Sequence, residues 1–131
     1  MVKIFVSGKF FDKEVISSFM NMFRNMGHVI THDWTKFEGD NPTDEELKIA
    51  GENDINGVRN CDIHIIILSD PNYAYRGTFA ELGCSLGLGK RVMIFSGPKE
   101  GLYMRVPFYH HPLVEHYYDF DKLLANIDKK N

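Results

Sequence analysis

The chain has two cysteines, one tryptophan and no long apolar run. Cys61 and Cys84 lack the close spacing of a zinc knuckle or a redox pair, which excludes a disulfide scaffold and a cysteine-bound metal. Both lie among apolar neighbours and are expected to be reduced core thiols in a cytoplasmic protein. No stretch approaches the roughly 20 apolar residues of a membrane span, so no membrane partner is expected. Met1-Val2-Lys3-Ile4 reads straight into a strand, so no leader is expected either. There is no basic block, and the formal net charge is -3, which argues against a nucleic-acid polymer as partner. There is no G-x-G-x-x-G fingerprint, which disfavours a dinucleotide site. His110, His111 and His116 lack the spacing of a helical metal pair. Neither a metal nor a cofactor is expected.

What is present is an ordinary globular composition, 44% hydrophobic and 25% charged over 131 residues. That length suits one domain spanning 1–131. Strand and helix signals alternate along it. Val2 to Ser7 is β-rich. Val15, Phe19, Met22 and Met26, with Ile16 and Phe23, recur at helical spacing from Asp12 to Met26, and Gly27 is the expected stop. A second strand covers Val29 to Thr31. Thr43-Asp44-Glu45-Glu46 carries a capping-box pattern and opens a helix to about Asn60. Ile63 to Leu68 is almost uniformly apolar, the mark of a parallel strand buried on both faces. A helix carrying Glu81 follows, ending near Gly87-Leu88-Gly89. Arg91 to Phe95 and Val114 to Tyr118 are further strands, separated by a loop (96–112) long enough to act as a lid. A helix from Asp119 to about Asp128 closes the chain. The alternation predicts a three-layer α/β/α sandwich, flavodoxin- or Rossmann-like, with five mainly parallel strands in the order 2-1-3-4-5. The ligand crevice of such a sheet lies at the carboxyl ends of strands one and three.

Several polar residues are expected around that crevice. Glu81 is placed in the first turn of its helix, where the dipole favours a carboxylate. There it is either a nucleophile for a sugar carbon or the partner of Thr78 in a capping box. Asp54 falls on the apolar face of Leu47, Ala50, Ile55 and Val58. It is either a satisfied buried carboxylate or a second acid beside Glu81. Ser7, Gly8 and Lys9 follow the first strand, and Ser69 follows the third. With Arg76 they are candidates for an anion pocket, although such residues are commonly just turn and surface groups. His32 and Trp34 are candidates for a base pocket. Tyr73 and Tyr75, before Gly77, either stack on a base or are ordinary loop aromatics.

The segments Glu52-Asn53-Asp54-Ile55-Asn56-Gly57-Val58, Cys61-Asp62, Gly77-Thr78-Phe79-Ala80-Glu81-Leu82-Gly83 and Ser85 to Lys90 together resemble the nucleoside 2-deoxyribosyltransferase family. That family includes the 2′-deoxynucleoside 5′-monophosphate N-hydrolases. The opening Lys3 to Gly8 and the Ile30 to Trp34 segment are similar as well, and the likeness fades after Phe95. The resemblance implies cleavage of an N-glycosidic bond with Glu81 as nucleophile and Asp54 contacting the substrate near the reacting carbon. It further implies transfer of the sugar to another free base. The alternatives are hydrolysis of a monophosphate, or a catalytically silent nucleotide-binding module on the same fold. Phe5 stands where the family often has a tyrosine that positions the nucleophile, with Tyr73 or Tyr75 as possible replacements. The ending Lys129-Lys130-Asn131 does not match the residues with which family transferases complete a neighbour's site. The resemblance also implies a homo-oligomer, for which the aromatic stretch Tyr103 to Tyr118 is a candidate interface.

Overall fold

Five parallel strands run in the order β2-β1-β3-β4-β5. They are β1 (Lys3–Ser7), β2 (Val29–Ile30), β3 (Ile63–Leu68), β4 (Arg91–Ser96) and β5 (Val114–Tyr117). The helices are α1 (Lys13–Asn25), α2 (Asp44–Asn60), α3 (Arg76–Gly87) and α4 (Phe120–Asn126). The computed structural model describes residues 1–97 and 100–129. Pro98 and Lys99 of the expected lid, and Lys130 and Asn131 of the carboxyl-terminal segment, lie outside the described residues. Among those described, no helix is long and apolar enough to cross a membrane.

Strand alternation sorts the core into two faces. Ile4, Val6, Ile63, Ile65, Ile67 and Met93 meet Ile16, Met20 and Phe23 of α1, and Leu123 and Ile127 at the end of the chain. On the opposite face Ile66, Leu68, Val92 and Ile94 pack with Leu82, Tyr75, Tyr103 and Tyr109. Phe5 packs with Val58 and Cys61 on that face. The register pairs Phe5 with His64 and Ser7 with Ile66. One strand end thus delivers Phe5, Ser7 and His64 to the side covered by α2 and α3.

Two helix expectations and one loop expectation need correction. In α1 the buried set is Ile16, Met20 and Phe23. Val15, Met22 and Met26 are exposed, because the stripe that contacts the sheet is centred a step away from them. In α2 only Gly57 and Val58 are buried, and Leu47 is 53% exposed. Only the carboxyl-terminal part of that helix lies on the sheet, so Leu47 and Asp54 do not share a buried face. The segment 100–112 of the expected lid is anchored to the fold. It forms short 3-10 turns at Leu102–Arg105 and Pro107–His110, and it drives Tyr103 and Tyr109 into the core. Those two rings are thereby withdrawn from the expected aromatic interface, while Phe108 and Tyr118 of the same stretch are exposed.

The Thr43 capping box forms as expected, with Thr43 and Glu46 each bonding the other's backbone N–H. Gly57 is where α2 touches the sheet. A Cβ there would lie 2.6 Å from Cδ1 of Phe5 and 3.0 Å from Cβ of His32. Phe5 is fully buried and cannot retreat. Gly57→Ala is therefore expected to cost about 1–3 kcal/mol of stability by overpacking, measurable as a lower urea midpoint with an unchanged slope.

Candidate active site

Ser7 is the last residue of β1 and is almost completely buried. Its hydroxyl donates to Oε1 of Glu81 at 2.7 Å, and its Oγ lies 2.6 Å from Nε2 of His64. On the other side of that imidazole, Nδ1 lies 2.7 Å from Oγ of Ser85. Ser85 is one turn beyond Glu81 on α3, so a single helix supplies both ends of the chain Glu81–Ser7–His64–Ser85. His64 is fully buried, and desolvation alone pushes its pKa down to about 3. The ring is neutral at ordinary pH, one nitrogen donating and the other accepting.

Glu81 sits in the second turn of α3, which begins at Arg76 with Tyr75 as N-cap. The expected place in the first turn is thus corrected. So is the Thr78 capping box, since the cap residue is Tyr75 and no side chain caps the helix. The helix dipole does not decide the ionisation either. Burial pushes the Glu81 pKa up to about 8, with the Ser7 bond opposing and the Asp54 charge adding to the rise. Desolvation in the second turn outweighs a dipole that fades beyond the first.

Asp54 reaches the same point from α2, and its carboxyl is within hydrogen-bonding reach of Glu81. Its pKa is also raised by burial, with the Glu81 bond and His32 opposing. Asp54 Oδ1 is buried with no hydrogen-bond partner, and Nε2 of His32 stands 3.7 Å from it. Two desolvated carboxyls this close cannot both ionise readily, so the pair holds a proton near neutrality. A consequence for stability follows. Glu81 is raised from the ordinary 4.5 to about 8, so the unfolded chain gives up this proton first. The associated stability is fully present below the unfolded pKa and is lost as pH rises through the folded one. The melting temperature is expected to fall between about pH 5 and about pH 8.5, and to fall less in Glu81→Gln.

The remaining expected residues divide into wall and scaffold. A cavity of about 400 Å³ is lined by Gly8, Phe10, Asn72, Tyr73, Arg76 and Gly77, among others, at the loop after β1 and the start of α3. Neither Ser7, Glu81 nor Asp54 is on its wall. Ser7 lies behind Glu81 and supports it, a correction to its expected contact with substrate. Gly8 is required for close approach, since a Cβ would fall 2.5 Å from Cδ1 of Ile16. Lys9 pairs with Asp70 at 2.9 Å, and Ser69 donates to Asp12 at 2.8 Å. These bonds tie the loops at the crevice together and occupy groups expected to meet an anion. Trp34 donates its indole N–H to the Val6 carbonyl at 2.6 Å and stacks near Phe10. These contacts fasten the loop after β2. Tyr75 is buried, with φ 54, and accepts a bond from the Asp70 N–H at 2.9 Å. It starts α3 and is not free to stack or to replace the family tyrosine. The hydroxyl that bonds Glu81 belongs to Ser7.

Sequence reasoning missed His64, Ser85 and Phe10. His64 left a signal, being the one polar residue of the strand IHIIIL. Its meaning depends on which face it takes and on what α3 places there. Among the described residues, no group of three or more His, Cys, Asp or Glu is arranged to hold a metal ion.

A partly buried acidic pair near the switch point of a parallel α/β sheet, where such folds bind small ligands, is a set of groups suited to acid–base or nucleophilic chemistry. The chain belongs to the nucleoside 2-deoxyribosyltransferase family, whose model matches residues 5–115. The family and the structural neighbours are glycosyl transferases and N-glycosidases acting on nucleosides or nucleotides. Among solved structures, the 2-deoxyribosyltransferase of Bacillus psychrosaccharolyticus is 26% identical, with a TM-score of 0.72 over 92% of this chain and 89% of that one. The CMP N-glycosidase of Clostridium botulinum is 17% identical, with a TM-score of 0.63 over 96% and 98% of the two chains. The Leishmania mexicana 2-deoxyribosyltransferase is 19% identical, with a TM-score of 0.59 over 95% of each. The last two show the fold alone. A search of curated proteins gave no match.

Proposed function

We propose that this chain cleaves the N-glycosidic bond of a deoxynucleoside through a covalent intermediate on Glu81 and transfers the sugar to a second base. The observation that carries the reading is the Glu81 carboxyl, held by the Ser7 hydroxyl at 2.7 Å and facing Asp54. In the free site the two carboxyls hold one proton between them. With substrate bound, Asp54 keeps that proton and passes it to the departing base, so that Glu81 attacks as the anion. The Glu81 oxygen bonds to the anomeric carbon, the carbon–nitrogen bond breaks, and its electron pair leaves with the protonated base. A second base then attacks the same carbon through a ring nitrogen, gives its N–H proton to Asp54, and releases Glu81 as the carboxylate. Two displacements retain the anomeric configuration.

A second reading is hydrolysis of a deoxynucleoside monophosphate, with water in place of the second base. It is favoured by the amino-terminal residues of α3, Arg76 and Gly77, on the wall of the 400 Å³ cavity. Backbone N–H groups at such a helix end suit a phosphate. One experiment separates the readings. A panel of deoxynucleosides and their monophosphates is incubated with and without a free base, and base release and exchange are followed by chromatography. Exchange that requires the added base supports transfer. Release from monophosphates, indifferent to the added base, supports hydrolysis. Absence of both leaves the silent nucleotide-binding module.

We further propose a homo-oligomer, supported by the half-exposed Leu47 and Ile49 on α2 and Leu88 beside α3. Light scattering that finds only a 15.1 kDa species at working concentration would reject it.

A further inference from the structure

We propose that His64 is a positioning residue for Glu81. By donating from Nε2 to Ser7, it commits the single Ser7 hydroxyl proton to the Glu81 carboxylate. Ser7 has one hydrogen and two neighbours that can take it, Oε1 of Glu81 at 2.7 Å and Nε2 of His64 at 2.6 Å. If Nε2 were the accepting nitrogen, that hydrogen would be drawn to the ring, and Glu81 would face a bare oxygen. The tautomer of His64 therefore decides whether Glu81 is held. Ser85 sets the tautomer from the far side. Its hydroxyl, 2.7 Å from Nδ1, donates to that nitrogen and leaves the ring proton on Nε2. All donors then point one way, Ser85 to His64 to Ser7 to Glu81, and each bond polarises the next in a water-free interior.

The surroundings favour a fixed neutral ring. Phe5 meets the imidazole edge-on with ring centroids 5.3 Å apart. The ionisable groups packed around this region are Asp54 and Cys61 from α2 and its end, His32 from the loop after β2, and Glu81 and Cys84 from α3. None of them makes a hydrogen bond to His64, whose two nitrogens are taken by Ser7 and Ser85. A buried neutral imidazole needs an acceptor on one nitrogen and a donor on the other, and Ser7 and Ser85 fill those two places. In this arrangement every polar atom of a buried chain ends on the proposed nucleophile.

The inference rests on the proposed role of Glu81, and two independent measurements separate its failure from the failure of that role. The first uses no turnover. Nitrogen-15 NMR of histidine-labelled protein is expected to show His64 neutral, with its proton on Nε2, from about pH 6 to about pH 8. In Ser85→Ala, which removes the donor to Nδ1, that fixed preference is expected to be lost. A proton on Nδ1 in the wild type, or a charged ring at about pH 6, overturns the inference whether or not the enzyme turns over. The second measurement is kinetic. His64→Leu is expected to lower kcat about tenfold with KM within about twofold, near the upper end of what one buried hydrogen bond is worth. The acid limb of kcat/KM is expected to move to higher pH, because the Ser7 hydroxyl, without the Nε2–H that polarises and orients it, donates less strongly to the Glu81 anion. His64→Gln places a carboxamide N–H near the Nε2 position and is expected to recover most of kcat. An equal loss in Leu and Gln variants that melt alike, or no loss in either, overturns the inference. If the wild type cleaves no substrate, the catalytic proposal fails while the tautomer measurement still decides the hydrogen-bond arrangement.

Discussion

Glu81→Gln is expected to abolish turnover while leaving substrate binding within about threefold, a loss of at least about 10³ in kcat. The amide matches the carboxyl in size and still accepts the Ser7 bond at the Oε1 position, so the site keeps its shape. What it loses is the anion that attacks the anomeric carbon. Isothermal titration with the best substrate and a chromatographic rate assay measure the two halves of the expectation. Wild-type cleavage by a folded Glu81→Gln protein would end the covalent mechanism. A thermal melt is a necessary control, and its sign is also expected. Glu81 is partly buried and tends to keep its proton, so the neutral amide is expected to melt no lower than the wild type, and higher above about pH 8.

Asp54→Asn is expected to act differently. Removing a positioned general acid typically costs about 10²–10⁴-fold, and the loss is expected in kcat at any pH where Glu81 is ionised. The substitution also removes the negative neighbour that helps raise the Glu81 pKa. The acid limb of kcat/KM, set by ionisation of Glu81, is therefore expected to move to lower pH than in the wild type. It is not expected to reach the ordinary glutamate range, because burial is the larger cause of the rise. A slower enzyme with a limb shifted to lower pH is the combined signature. A slower enzyme with an unshifted limb would mean that the two carboxyls are not coupled. Asp54 Oδ1 has no hydrogen-bond partner to lose, so folding is expected to survive the change.

Local chemistry along the chain was enough to determine the elements and their order. Ile63 to Leu68 could be read as a central strand because all six side chains are buried, and only a doubly covered parallel strand tolerates such a run. The alternation of strands and helices then left few topologies, and the order 2-1-3-4-5 is the one observed. Glu81 and Asp54 stood out as carboxyls in segments that pack against the sheet.

Their surroundings were decided only by the tertiary structure. The sign of the Glu81 shift depends on how deeply α3 buries it and on Asp54 arriving from another helix. Neither is a local property. Lys9, Ser69, Trp34 and Tyr75 have side chains suited to binding a ligand, yet each meets a protein partner across the fold. The buried chain from Ser85 through His64 and Ser7 joins α3, β3 and β1. Helical and strand periodicities fix which face of its own element a side chain takes. Which polar group waits on the facing element is set by register and packing between segments distant in sequence, and there the sequence by itself is silent.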